Sequence, residues 1–176
     1  MEVAVPPLTP YLVVSNAAEA IEFYKNAFGA TQDGLTHFMP GTEKIMHARL
    51  IINGAMIMLS DDLGTTMGHR ESHPHALGGS PITLALQLDD VQSFWDRAVA
   101  AGAKVTMPLA DQFWGDRYGQ ITDPYGHKWS MSQTIVTMTD EDMQQGALRA
   151  MDVVTQPPPP PPQGGLQPTD DWGNNN

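Results

Sequence analysis

Six histidines and no cysteine define the side-chain chemistry open to this 176-residue chain. Without cysteine there is no disulfide, no thiolate nucleophile and no cysteine-ligated zinc. Three histidines fall in the run His69-Arg70-Glu71-Ser72-His73-Pro74-His75, where His73, His75 and Glu71 are spaced as a small metal-binding loop would space them. Pro74 and the nearby glycines equally suit a polar surface loop without a rigid frame, or a mobile loop over a cavity mouth. His47 lies in a strand-like run and is the candidate acid/base or polar ligand contact, with a structural histidine as the plain alternative. His37 is placed to approach it from a neighbouring strand, and His127 falls in a turn.

A second group is Phe113-Trp114-Gly115-Asp116-Arg117-Tyr118, two aromatics, an acid and an arginine read as a loop before a strand. Trp114 is suited to stack on a planar ligand and Arg117 to clamp a carboxylate or phosphate. The alternative is that Asp116 and Arg117 pair with each other while the aromatics close one end of the core. The chain contains no phosphate-binding glycine loop, no serine nucleophile elbow and no acid pair of glycosidase type.

These residues need elements to position them, and an internal repeat supplies the plan. Val14-Ser15-Asn16 and Leu88-Asp89-Asp90 each follow an apolar strand-like run and precede a helical pattern ending in Gly-Ala, at Gly29-Ala30 and Gly102-Ala103. Asn53-Gly54 and Tyr125-Gly126 are the matching hairpin turns. Asn16 and Asp89 or Asp90 are the expected N-caps. The buried helix stripes are expected to be Ala20, Phe23, Tyr24 and Ala27, then Val91, Phe94, Trp95, Ala98 and Val99.

The spacing predicts strand 8–14, helix 17–28, strands 31–38, 43–52 and 55–60, and a loop over 61–80. It then predicts strand 81–88, helix 90–101 and strands 103–107, 117–123 and 128–133. The fold class is therefore α+β, two βαβββ modules whose curved mixed sheets surround a concave cavity. The expected organisation is an N-terminal extension 1–7, a first module 8–60, a connecting loop 61–80 and a second module 81–133. A helical region 134–155, docked by Met143, Ala147 and Met151, and a Pro-rich disordered tail 156–176 complete it.

The segments Thr9-Pro10-Tyr11-Leu12-Val13-Val14 and Ala20-Ile21-Glu22-Phe23-Tyr24-Lys25-Asn26-Ala27-Phe28-Gly29-Ala30 resemble the opening of vicinal-oxygen-chelate proteins, the glyoxalase/bleomycin-resistance/dioxygenase superfamily. Met46-His47-Ala48-Arg49-Leu50 and Asp123-Pro124-Tyr125-Gly126-His127-Lys128-Trp129 resemble its PhnB-like branch. Metal-dependent members hold one divalent ion with two His or Gln and two Glu side chains. The resemblance places those four positions on Thr9, Met58, Thr83 and Ser130, none a ligand for zinc, nickel, iron or manganese. A slip of one residue offers no better set. The resemblance therefore implies no metal cofactor at those positions and a homodimer around a shared cavity.

Three functions follow. The first is a protein that binds a small organic molecule, with Tyr11, Trp114, Arg117 and Trp129 contacting it. The second is a metal-dependent lyase, isomerase or dioxygenase with displaced ligands. The third is a scaffold whose proline tail recruits a partner. The net charge of −11, of which −5 falls in residues 139–176, argues against nucleic acid and anionic membranes as partners. With no apolar run near 18 residues and no basic leader, the expected compartment is the cytoplasm.

Overall fold

The computed structural model describes residues 4–155; the proline-rich segment lies outside them. The first module runs β1 (Tyr11–Val14), α1 (Ala17–Phe28), β2 (Thr31–Gln32), β3 (His37–Phe38), β4 (Ile45–Ile52) and β5 (Ala55–Asp61). After a linker holding the one-turn helix α2 (Pro74–Leu77), the second runs β6 (Thr83–Gln87), α3 (Val91–Ala100), β7 (Lys104–Asp111), β8 (Asp116–Thr122) and β9 (Lys128–Thr134). A final helix, α4, spans Asp140–Thr155. The sheets have matching orders, β1-β5-β4-β2 and β6-β9-β8-β7, with β1–β5 and β6–β9 parallel and the remaining pairs antiparallel. They are two open mixed sheets of an α+β protein.

Local chemistry sets these elements. Asn16 accepts from the Glu19 N–H at 3.2 Å and Asp90 from the Ser93 N–H at 3.1 Å, so both helices start on a side-chain cap. Gly29 ends α1 at φ 64°, where its N–H and that of Ala30 return to the Lys25 and Tyr24 carbonyls. Asn53 and Gly54, at φ 47° and 79°, form the two-residue turn joining β4 to β5.

Sheet alternation divides each strand. Leu12, Val14, Ala48, Leu50, Ile57 and Leu59 are buried beneath α1, and the intervening residues face away from it. The core is continuous across the modules because α1 packs on α3 and reaches β9. Phe28 and Trp129 lie 4.8 Å apart between ring centres, and Tyr24 and Trp129 5.7 Å. Asp123, 3% exposed, is the polar hub of this contact. Its Oδ2 accepts from the Tyr24 hydroxyl at 2.8 Å and the Trp129 indole at 2.9 Å. Its Oδ1 accepts the backbone N–H groups of Tyr125 and His127. Four donors on one buried carboxylate satisfy the group that burial would otherwise make costly. His127 adds a link from Nε2 to the Val13 carbonyl at 3.1 Å, and Asn53 donates to the Gln87 carbonyl at 2.8 Å.

Several expectations are corrected. The segment 31–38 is not one strand: Gly34 at φ 76° breaks it into β2 and β3. The loop expected from 108 to 116 is mostly strand, since β7 pairs with β8 as far as Asp111↔Arg117 and only 112–115 turn. Val99 is exposed, because it falls off the α3 face that meets the sheet. In α4, Met143 and Ala147 are half-buried, but Met151 is 67% exposed. What seats α4 is Gly146, where a Cβ would come within 2.9 Å of the Phe113 ring. The linker carries short helical turns at Thr65–Met67 and Pro74–Leu77 rather than plain loop.

Candidate ligand-binding site

Ladder register assembles the site on the face of the first sheet turned away from α1. Tyr11 stands opposite Met58 and Met58 opposite Arg49, so the three form a row across β1, β5 and β4. His47, two residues before Arg49, shares that face by strand alternation. His37 on β3 is directly opposite His47. The ring centres of His37 and His47 are 6.0 Å apart, and those of Tyr11 and His47 5.8 Å. Beside them opens a depression of about 660 Å³, lined by Gln32, Asp33, Leu35, His37, His47 and Arg49.

The hydrogen bonds orient His47. The Tyr11 hydroxyl donates its one hydrogen to the Met46 carbonyl at 3.0 Å. His47 Nδ1 lies 3.4 Å from the same hydroxyl oxygen. Burial lowers the His47 pKa below its ordinary 6.5, and the nearby His37 and Arg49 lower it further. At neutral pH His47 is an uncharged base. Arg49 is held from behind: its Nε lies 3.3 Å from Asp33 Oδ2, and at Gly34 a Cβ would stand 2.7 Å from Arg49 Nη2. Glycine at 34 thus makes room for the guanidinium as well as turning the chain.

The second sheet carries the aromatic group. Phe113 and Trp114 meet edge-on at 5.0 Å, and Trp114 meets Tyr118 at 5.6 Å. Tyr118 accepts from the Gln120 amide at 2.7 Å. Tyr118 and Gln120 stand opposite Ser132 and Ser130, forming a polar face with Trp114 at its end. Arg117 is engaged by Asp111, at 2.7 and 3.3 Å, and not by Asp116 as its sequence neighbour suggested. Cross-strand pairing brings residue 111 to residue 117. Trp129 is also corrected as a ligand contact: it is 1% exposed, packed on Tyr24 and Phe28, with its N–H spent on Asp123.

The four positions discussed for a metal are placed as follows. Thr9 precedes the β1 ladder, and Met58 is on the open face between Tyr11 and Arg49. Thr83 is exposed at the start of β6, and Ser130 is buried opposite Ala85 and Gln120. Among the described residues no three or more His, Cys, Asp or Glu side chains are grouped to hold a metal ion. In the linker, His75 Nε2 is 2.9 Å from the Pro124 carbonyl, and His73 Nε2 is 3.7 Å from Glu71. His75 thus ties α2 to the Asp123 turn, while the His73 contact stays within the linker.

Arg49 and Asp123 were not singled out from sequence. Arg49 was recoverable, since residues i and i+2 of a strand share a face and His47 was already a candidate. Asp123 was not, because its partners are 99 residues away and on its own turn.

The fold and its matched modules are those of the glyoxalase/bleomycin resistance protein/dioxygenase superfamily, whose family model matches residues 5–131, and the chain belongs to that superfamily. An uncharacterized protein of Mycobacterium tuberculosis is 44% identical over 140 residues, covering 79% of this chain and 81% of the relative. Protein YjdN of Escherichia coli is 27% identical over 145 residues, covering 72% of this chain and 94% of the relative. Among solved structures, TioX from Micromonospora has TM-score 0.56 and 25% identity, covering 74% of this chain and 99% of that one. The fosfomycin resistance protein FosX of Listeria monocytogenes has TM-score 0.53 at 13% identity, covering 79% of this chain and 98% of that one, a likeness of fold alone. No described helix is long and apolar enough to cross a membrane.

Proposed function

We propose that this chain is a cytoplasmic, PhnB-like member of the superfamily that binds a small organic molecule on the open face of its first sheet, without the superfamily's usual metal site. The observation that carries the reading is the 660 Å³ depression lined by His37, His47 and Arg49, with the row Tyr11–Met58–Arg49 running across the same sheet face. It offers one aromatic face, one neutral base and one cation, the few convergent polar groups that a ligand site needs. Met58 at the centre of the row is apolar where the superfamily resemblance places a ligand of metal-dependent members.

The test is a thermal-shift screen of glycopeptide and aromatic antibiotics in the presence of a metal chelator. A ligand at a hundredfold its Kd adds about 2.7 kcal/mol of stability, a rise of roughly 5–10 °C for a chain of this size. Tyr11→Ala and Arg49→Ala should each remove the rise. A screen in which nothing stabilises the protein sinks the reading.

The second reading is a lyase, isomerase or dioxygenase using non-standard metal ligands. The cross-strand pair His37 and His47 supports it. Absence of turnover of hemithioacetal and catechol substrates with added Ni²⁺, Zn²⁺, Mn²⁺ or Fe²⁺ removes it.

A further inference from the structure

We propose that His37 and His47 form a two-histidine site for a borderline divalent transition metal, Zn²⁺, Ni²⁺ or Cu²⁺, one residue pair along the sheet from the Tyr11–Met58–Arg49 row. The site gives ligands to the metal-dependent reading but stands on geometry and needs no turnover.

Three observations carry it. The first is register. His37 and His47 are direct cross-strand partners, so both side chains leave the same face of the sheet at neighbouring points. A metal about 2.1 Å from one nitrogen of each ring sets the ring centres roughly 5 Å apart. The observed 6.0 Å with 36° between planes is within a small side-chain rotation of that.

The second is orientation. Metal-ligating histidines donate their second N–H to an oxygen that fixes the tautomer. His47 has an oxygen so placed: its Nδ1 lies 3.4 Å from the Tyr11 hydroxyl, which is itself anchored on the Met46 carbonyl.

The third is charge. Arg49, a cation on this face near the pair, has Asp33 beside it at 3.3 Å, which offsets its repulsion of a metal. Imidazole selects zinc, nickel and copper over magnesium and calcium. Two protein nitrogens leave the remaining coordination positions to water or to a ligand from the depression, in the manner of an open site.

The experiment uses tag-free, chelator-stripped full-length protein, titrated with Zn²⁺, Ni²⁺ and Cu²⁺ against a chromogenic chelator at neutral pH. One equivalent is expected for the wild type. His37→Ala and His47→Ala should each abolish it, and Tyr11→Phe should weaken it about tenfold by releasing the His47 ring. The His73→Ala/His75→Ala double variant should keep it. Cu²⁺ electron paramagnetic resonance on the wild type, which requires no variant to fold, should show two equatorial nitrogens. Binding that survives His37→Ala, binding lost only with His73 and His75, a single-nitrogen spectrum, or no binding at all overturns the proposal. Because the antibiotic screen is run with chelator, failure there and failure here are distinct results.

Discussion

At the residue scale, the consequential atoms are the two oxygens of Asp123. Oδ2 faces a hydroxyl and an indole N–H, while Oδ1 faces two backbone N–H groups. Asp123→Asn therefore cannot be accommodated by an amide flip. Either orientation turns an NH₂ group toward two donors, leaving buried groups unpaired. The expected loss is about 2–4 kcal/mol in urea unfolding, with the secondary structure retained. Tyr24 makes a second residue-scale prediction. Burial, and then the Asp123 carboxylate, push its phenol well above the ordinary 10.0. Burial, with Glu19 and Asp123, pushes Tyr125 to about 12. The folded state holds these protons more tightly than the unfolded chain does. Their contribution is complete below about pH 10 and is lost as pH rises through the folded values. Stability should fall as pH rises above about 10, and the fall should be shallower in Tyr24→Phe; equal slopes in the two proteins would refute the assignment.

At the element scale, one side chain shapes the linker between the sheets. Asp62 accepts from the Gly64 N–H at 2.8 Å, the Ser72 N–H at 2.6 Å and the His73 N–H at 2.9 Å, closing residues 62–73 into a loop. Burial alone would raise its pKa, but the N–H groups of Ser72, Gly64 and His73 outweigh burial and hold the carboxyl below its ordinary 3.8. A depressed carboxylate stabilises above the unfolded value and stops doing so as pH falls through the folded one. Asp62→Ala should expose amides 63–77 to hydrogen exchange while both sheets stay protected. Loss of protection throughout the molecule would mean the loop is part of the core rather than an appendage. Close packing sets a second limit. At Gly119 a Cβ would come within 2.5 Å of the Trp95 ring, so Gly119→Ala should push α3 from its sheet at a cost of about 1–3 kcal/mol. Its readout is the near-ultraviolet circular dichroism of the tryptophans.

At the scale of the whole molecule, each sheet buries one face under its helix and leaves the other to solvent. Tyr11 is 47% exposed, Ile82 66% and Leu8 89%, so apolar surface lies around the edge where β1 and β6 come together. A second copy is the occupant that the superfamily resemblance implies. The expectation is a dimer in sedimentation equilibrium, with Tyr11 and Trp114 both protected from solvent quenching and labelling. A monomer at all concentrations would leave the site open on one side and restrict it to small, weakly held ligands. The net charge of −11 predicts that a dimer, if its halves repel, tightens with added salt.

Much of this was legible along the chain because it depends on near neighbours. Helix caps, the Gly29 stop and the Asn53-Gly54 turn are decided within a few residues, and the repeat declares the second module once the first is read. Tertiary structure alone decided which side chains meet. The meeting of His37 with His47 depends on the register of a two-residue strand after Gly34. The engagement of Arg117 by Asp111 depends on how far β7 extends. The burial of Trp129 depends on the sheet face to which its position in β9 assigns it, and the four-donor hub at Asp123 depends on a helix 99 residues away. Cross-strand register and inter-module packing come from burying the whole apolar surface at once, a sum that no local window of sequence contains.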